Sequence, residues 1–356
     1  MVDKIRVLVV DDSSFFRTRI RQELERTGEI EVAGEAVNGA EAVRQAASLR
    51  PDLITMDVAM PVMDGISAVR EIMRASPTAV VMFSALTRDG AKATLEALDA
   101  GAVDFLPKQP GALVGEGNGM GLSERVINIA RHKGVRRVPQ AAARKAAAAA
   151  VAPAPAPPPT AVANGRRRGQ PRLVVIGAST GGPVAIQKVL TALPATYPYP
   201  LLVAVHMPAE FTPTFAERLD SLCRLEVRQA VDGDELRPGR ALIAPGGMQT
   251  LVESAGGRLR VRLMADPQRL YKPSVDITFG SAARSLGEAV QAVILTGMGA
   301  DGTEGARLLK ERGASVWSQD QATSVVYGMP QSVARAGYSD RVLALEEIGP
   351  ALGGLA

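Results

Sequence analysis

Two blocks of this chain repeat one unit, a short apolar run followed by an amphipathic stretch, and no other feature restricts the fold as strongly. In the first block the apolar runs are Ile5–Val10, Asp52–Met56, Ala79–Phe83 and Val103–Leu106. Between them, Phe16–Arg26 and Ala40–Ala47 carry apolar residues at helical spacing. In the second block Arg172–Ile176, Leu201–Val205, Ala241–Ile243 and Gln291–Leu295 are strand candidates. Pro183–Leu193, Thr214–Leu222, Val275–Leu286 and Gly302–Arg312 are helix candidates. Uninterrupted apolar runs suit strands buried on both faces, and their alternation with helices implies parallel pairing. Each block therefore predicts an α/β fold, doubly wound around a mainly parallel sheet. Ligands in such sheets bind at the carboxyl ends of strands.

The segment between the blocks reads AAARKAAAAAVAPAPAPPPTAVANGRRRG, mostly Ala and Pro with no aromatic residue. It cannot bury enough apolar surface to offset its ordering entropy. Its Ala-Pro part predicts an extended, semi-stiff spacer. The expected organisation is a first domain over 1–130, a linker over 131–169 and a second domain over 170–356. The formal charge of +4 invites a nucleic-acid reading. However, nine Lys or Arg and no acids lie between Arg131 and Gln170, which leaves 32 basic against 37 acidic residues elsewhere. The basic excess thus belongs to the linker, either as plain solvated charge or as an arm for an acidic partner. No helix-turn-helix or other recognition element accompanies it, so no nucleic-acid partner is expected. The single cysteine, Cys223, suits a reducing compartment. No apolar run reaches the roughly 18 residues of a membrane span. A cytoplasmic protein, not embedded in a membrane, is the expectation.

In the first block, acids follow strand ends. Asp11 and Asp12 follow IRVLVV, Asp57 follows LITM, Ser84 ends VVMFS, and Lys108 follows VDFLP. Converging carboxylates repel one another and call for a cation, and an oxygen-only donor set suits Mg²⁺. Lys108 and the Ser84 hydroxyl are placed to meet phosphoryl oxygens, so the chemistry that follows is phosphoryl transfer to Asp57. The rival reading makes each acid a helix N-cap. The motifs VVDDSSFFR, MDVAMPVMDG, FSALT and GAVDFLPK resemble a response-regulator receiver domain of flavodoxin-like fold. That resemblance implies Mg²⁺ held by Asp11 or Asp12, Asp57 and the Ala59 carbonyl. It also implies Asp57 as phosphoacceptor, Ser84 and Phe105 as the switch pair, Lys108 beside them, and a histidine kinase as phosphodonor. Ala59 carries no polar side chain, and Gln109 rather than proline follows Lys108.

The second block opens on RLVVIGASTGGPVAI, a strand, a glycine-rich turn and a helix start. A dinucleotide fingerprint fails at its second glycine, and a phosphate loop lacks its lysine. A nucleophile on a strand-to-helix turn remains, as does a structural serine in a tight turn. The chain has two histidines. His132 lies beside the linker and is expected in solvent, whereas His206 follows LLVAV at another strand end. Asp301 lies in the glycine-rich VILTGMGADG, either as an Asx turn or as the orienter of a base. Together Ser179, His206 and Asp301 supply nucleophile, base and orienter.

The motifs IGASTGG, VAVHMP, IAPGG, KPSVDITFGSAA, LTGMGADG and DQATSVVYGMP resemble the catalytic domain of CheB-family protein-glutamate methylesterases, a Rossmann-like domain. The resemblance implies Ser179 as nucleophile, His206 as general base and Asp301 as its orienter. It implies the backbone N–H groups of Thr180 and Met298 as oxyanion donors, with no cofactor in this domain. The implied substrates are methyl-accepting chemoreceptors, whose glutamate methyl esters are hydrolysed under control of the receiver domain, with receptor glutamines deamidated by the same route. Two other readings stay open: a phosphorylation-gated binding module without catalysis, and a DNA-binding response regulator.

Overall fold

In the computed structural model, residues 4–115, 120–134 and 170–355 are described. The expected linker lies almost wholly outside them, as does the His132 side chain. The first unit alternates β1 (Ile5–Val10), α1 (Ser14–Glu25), β2 (Ile30–Ala36), α2 (Gly39–Leu49), β3 (Leu53–Asp57) and α3 (Gly65–Ala75). It continues with β4 (Ala79–Ser84), α4 (Arg88–Asp99), β5 (Asp104–Pro107), the short α5 (Pro110–Val114) and α6 (Leu122–Gly134). Its sheet runs β2-β1-β3-β4-β5, every pair parallel. This is the flavodoxin-like order, whose switch point lies between β1 and β3. Val7–Val10 and all of β3, β4 and β5 are buried, as strands covered on both faces require.

The second unit holds β6 (Leu173–Ala178), α7 (Gly182–Thr191), β7 (Leu201–Val205), α8 (Thr212–Leu222), β8 (Glu226–Gln229) and β9 (Arg240–Ile243). A hairpin follows, β10 (Gln249–Ala255) and β11 (Arg258–Met264), then α9 (Val275–Leu286) and β12 (Val290–Ile294). The chain ends through α10 (Thr303–Glu311), β13 (Ser315–Gln319), α11 (Met329–Arg335), β14 (Arg341–Leu343) and α12 (Leu345–Gly353). Seven strands form one parallel sheet in the order β14-β13-β12-β6-β7-β9-β8. Its order reverses at β6, so the crevice opens beyond Ala178. The β10–β11 hairpin is antiparallel and turns on Gly256 and Gly257, both at positive φ. Two such residues suit the primed hairpin turn that matches strand twist.

The helix starts decide between the two readings of the acids. Helix α1 is capped by Ser13, α2 by Asn38, α3 by Asp64 and α4 by Thr87. Asp11, Asp12 and Asp57 cap none of them and instead lie together. Among the described residues, no helix is long and apolar enough to cross a membrane.

The start of α3 lies close against the end of β3. A Cβ built on Gly65 would lie 2.0 Å from the Asp57 carbonyl oxygen. Gly65→Ala is therefore expected to lower stability by about 1–3 kcal/mol, the usual cost of overpacking. Denaturant titration of wild type and variant measures it, and equal midpoints would mean that the 57–65 turn relaxes freely.

Candidate active site and phosphoacceptor pocket

In the first unit, β1 delivers Asp11 and Asp12 and β3 ends on Asp57. One ligand oxygen from each of the three acids lies within 4.8 Å of the others. Lys108, just past β5, places Nζ 2.5 Å from Asp57 and 2.9 Å from Asp11. Burial raises the Asp57 carboxyl above its usual range; the Lys108 hydrogen bond opposes this and the Asp11 charge adds to it. Burial pulls the Lys108 ammonium down, but hydrogen bonds to Asp57 and Asp11 raise it on balance. This all-oxygen donor set fits a hard divalent cation such as Mg²⁺, with Lys108 as counter-charge. The Ser84 hydroxyl donates to the Gly90 carbonyl at 2.9 Å. Phe105, one of the expected switch pair, is buried on β5.

In the second unit, Ser179 follows β6 at the switch point. Gly181, at φ +74, turns the chain into α7. Gly297 lets the strand-end loops approach, since a Cβ there would sit 2.9 Å from Ser179 Cβ and 2.3 Å from Met329 Sδ. His206 follows β7, and its Nδ1 lies 3.1 Å from Ser179 Oγ. Its Nε2 lies 2.7 Å from Asp301 Oδ2. A carboxylate partner keeps the proton on Nε2, which leaves the Nδ1 lone pair facing the serine.

Asp301 is held at the N-terminus of α9. Its oxygens accept from the Ser274 hydroxyl at 2.9 Å, Val275 N at 2.8 Å and Asp276 N at 2.9 Å. Burial pushes its carboxyl up, yet the His206 hydrogen bond and these donors hold it below the usual range. Asp276 in turn accepts from Gly302 N and Gly305 N at 2.8 and 2.7 Å. It thereby caps α10, whose own N-cap glycine has no side chain to do so.

Thr180 and Met298 line the same cleft as Ser179 and His206. So do Tyr271, stacked on the His206 ring, and two residues of the first unit, Met120 and Arg125. The Thr180 hydroxyl donates to Asp104 of β5 at 3.0 Å, and Arg125 binds the same carboxylate at 2.7 Å. Phe105 stacks on Phe211 with centroids 4.7 Å apart and rings at 18°. Arg88 pairs with Glu217, and Asp99 with Arg218. The receiver-like unit therefore sits on the mouth of the cleft.

Sequence reading did not single out Tyr271, Ser274, Asp276, Asp104 or Arg125. One signal was available for Ser274 and Asp276: a serine before the apolar-periodic Val275–Leu286 run with an acid in the first turn is a helix-start pattern, and such a helix start is an anion site. The others belong to loops or to contacts between the two units, which no local pattern marks.

Residues 174–352 match the family model described as CheB methylesterase, and residues 7–114 match that of the response regulator receiver domain. A protein of Alkalilimnicola ehrlichii named protein-glutamate methylesterase/protein-glutamine glutaminase is 54% identical, covering 98% of this chain and 99% of its own. A Pseudomonas aeruginosa protein named protein-glutamate methylesterase/protein-glutamine glutaminase 1 is 53% identical, covering 97% of each. The Thermotoga maritima CheB methylesterase catalytic domain, a crystal structure, aligns at TM-score 0.51 and 42% identity, over 52% of this chain and 99% of that one.

Burial pushes Asp276 up to about 6; its backbone donors oppose this and the Asp301 charge reinforces it. Its folded-state value thus lies above the unfolded one near 3.9, so folding disfavours the ionised form. That cost is full above pH 6 and disappears below about pH 4. Asp276→Asn keeps the acceptor oxygen and is expected to gain about 1–2 kcal/mol at pH 8, after allowance for screening, and nothing at pH 4. Thermal unfolding at both pH values measures this, and an equal gain at pH 4 would exclude the electrostatic cause.

Proposed function

The chain belongs to the CheB methylesterase family, and from that membership we propose that Ser179, His206 and Asp301 hydrolyse glutamate methyl esters on chemoreceptors under control of a phosphorylated receiver. The observation that carries this reading is the unbroken contact chain from Ser179 through His206 to Asp301 at the switch point of the larger sheet.

His206 Nδ1 takes the Ser179 proton as Oγ attacks the ester carbonyl. Asp301 holds the ring and offsets the charge that forms on it. The backbone N–H groups of Thr180 and Met298 meet the oxyanion, each such donor being worth about 2.7–4 kcal/mol. The protonated imidazole returns the proton to the departing methoxide, methanol leaves, and water then hydrolyses the glutamyl-enzyme by the same relay. A receptor glutamine follows the same course with ammonia as leaving group, in keeping with the glutaminase activity in its relatives' names.

The receiver, residues 1–130, is joined by 131–169 to the esterase, 170–356. Asp57 accepts the phosphoryl group from a histidine kinase, in a cytoplasmic setting. Mg²⁺, held by Asp11, Asp12, Asp57 and the Ala59 carbonyl, would neutralise phosphoryl oxygens there. Ser84, Phe105 and Lys108 respond to the new charge. The contacts of Asp104, Phe105 and Arg125 support gating by cover. A tenfold activation requires only about 1.4 kcal/mol of lost docking energy.

Ser179→Ala is expected to abolish methanol release from methylated receptor fragments without unfolding the chain, His206→Ala to do nearly as much damage, and Asp301→Asn somewhat less. Wild-type turnover by Ser179→Ala would remove the nucleophile assignment.

For the gate, the 170–356 fragment and full-length Asp104→Ala should both outpace unphosphorylated wild type, several-fold or more. Asp57→Asn should stay slow with phosphodonor and Mg²⁺. Rates of fragment and Asp104→Ala no higher than unphosphorylated wild type would exclude occlusion.

A further inference from the structure

His206 is contacted on three sides. Ser179 and Asp301 meet its two nitrogens in the ring plane, and Tyr271 covers a face. The two rings are parallel within 2°, with centroids 4.1 Å apart. Tyr271 is half-buried and lines the cleft, so a seated substrate removes water from its surroundings.

The loop that carries it is tied down on both sides. The Tyr271 carbonyl accepts from Gln249 Nε2 at 2.8 Å, and the Lys272 carbonyl accepts from Gly247 N at 3.0 Å. Gln249 is fully buried, and its Oε1 accepts from Ser274 N at 2.8 Å. One glutamine thus links the backbone under Tyr271 to the residue that binds Asp301. The stacked ring and the orienting carboxylate share one frame.

The charge state of His206 decides what this stacking is worth. Two neutral aromatic faces in parallel gain little from electrostatics, because both present negative quadrupole density. A cation over the same face is attracted. His206 becomes such a cation when it takes the Ser179 proton. The stacking energy is therefore larger in the transition state than before it, which is the condition for an interaction to raise turnover.

We propose that Tyr271 is a positioning residue that stabilises the imidazolium formed on His206 during ester hydrolysis, through the face of its ring rather than through its hydroxyl. The proposal rests on the reading of His206 as general base.

The test uses the full-length chain with acetyl phosphate and Mg²⁺, comparing Tyr271→Phe, Tyr271→Leu, Tyr271→Met and His206→Ala. Two rates are measured: methanol release from methylated receptor fragments, and labelling of Ser179 by a fluorophosphonate, which reports nucleophile activation without a receptor. Thermal midpoints check that each variant folds, and two ringless variants guard against the loss of one. Leu and Met should lower kcat and labelling roughly tenfold, within the 2- to 30-fold range of a partly desolvated cation–π contact, with KM nearly unchanged. Phe should restore most of that loss. Leu or Met performing like Phe would overturn the proposal, since apolar packing would then suffice. A loss of the same size in Phe would also overturn it, since the hydroxyl would then be the active part. If His206→Ala labels as fast as wild type, the base assignment itself fails, and that result is separate from any comparison among the Tyr271 variants.

Discussion

Asp301 is 8% exposed, and four donors converge on its carboxylate: the His206 ring, the Ser274 hydroxyl and the N–H groups of Val275 and Asp276. A buried carboxylate with fewer partners would take up a proton. Here the His206 ring first, and then the N–H groups at the start of α9, offset the desolvation cost, and the carboxylate stays charged beside the imidazole. The rest of the site follows from this anchoring. A fixed carboxylate sets the tautomer of His206, the tautomer sets which nitrogen faces Ser179, and the ring plane sets where Tyr271 can stack. Asp276 extends the same frame into α10, so the loop bearing Asp301 is gripped on both sides.

The two units solve similar problems with opposite balances of charge. In the acidic pocket of the first unit three carboxylates crowd together, and among the described residues one cation, Lys108, pairs with two of them. That imbalance favours a bound cation over a static ion pair. In the esterase cleft a single carboxylate is satisfied by neutral donors and one imidazole, an arrangement suited to moving a proton.

Contact between the units includes β5. Lys108, which meets Asp57, lies three residues beyond Phe105 and four beyond Asp104, which meet Phe211 and Thr180. Thr180 adjoins Ser179. The lysine that pairs with Asp57 thus adjoins a short strand whose residues contact the second unit beside Ser179. The surface ion pairs Arg88–Glu217 and Asp99–Arg218 contribute little on their own and are easily given up. The contacts of Asp104 and Phe105 are buried instead.

Much of this was legible in the sequence because it is written locally. Apolar runs with abrupt polar ends marked β1, β3, β4, β5, β6, β7, β9 and β12 to within one or two residues, and the strand ends marked Asp11, Asp57, Lys108, Ser179 and His206 as places where chemistry collects. The half-exposed β2, the short edge strands β8 and β14, the β10–β11 hairpin and the buried β13, whose SVWSQ has only two apolar residues, were not read, since they lack long apolar runs. Sequence order could not say that β12 lies against β6 on the side opposite β7, although that order alone brings Asp301 to His206. Nor could it say that Asp104 and Phe105 face a second sheet, or that Tyr271 covers an imidazole in another loop. Residue type and spacing determine which groups a chain offers and at which strand ends. Which of them touch is decided by long-range strand pairing and by docking between units, because those energies come from surfaces that exist only once the chain has folded.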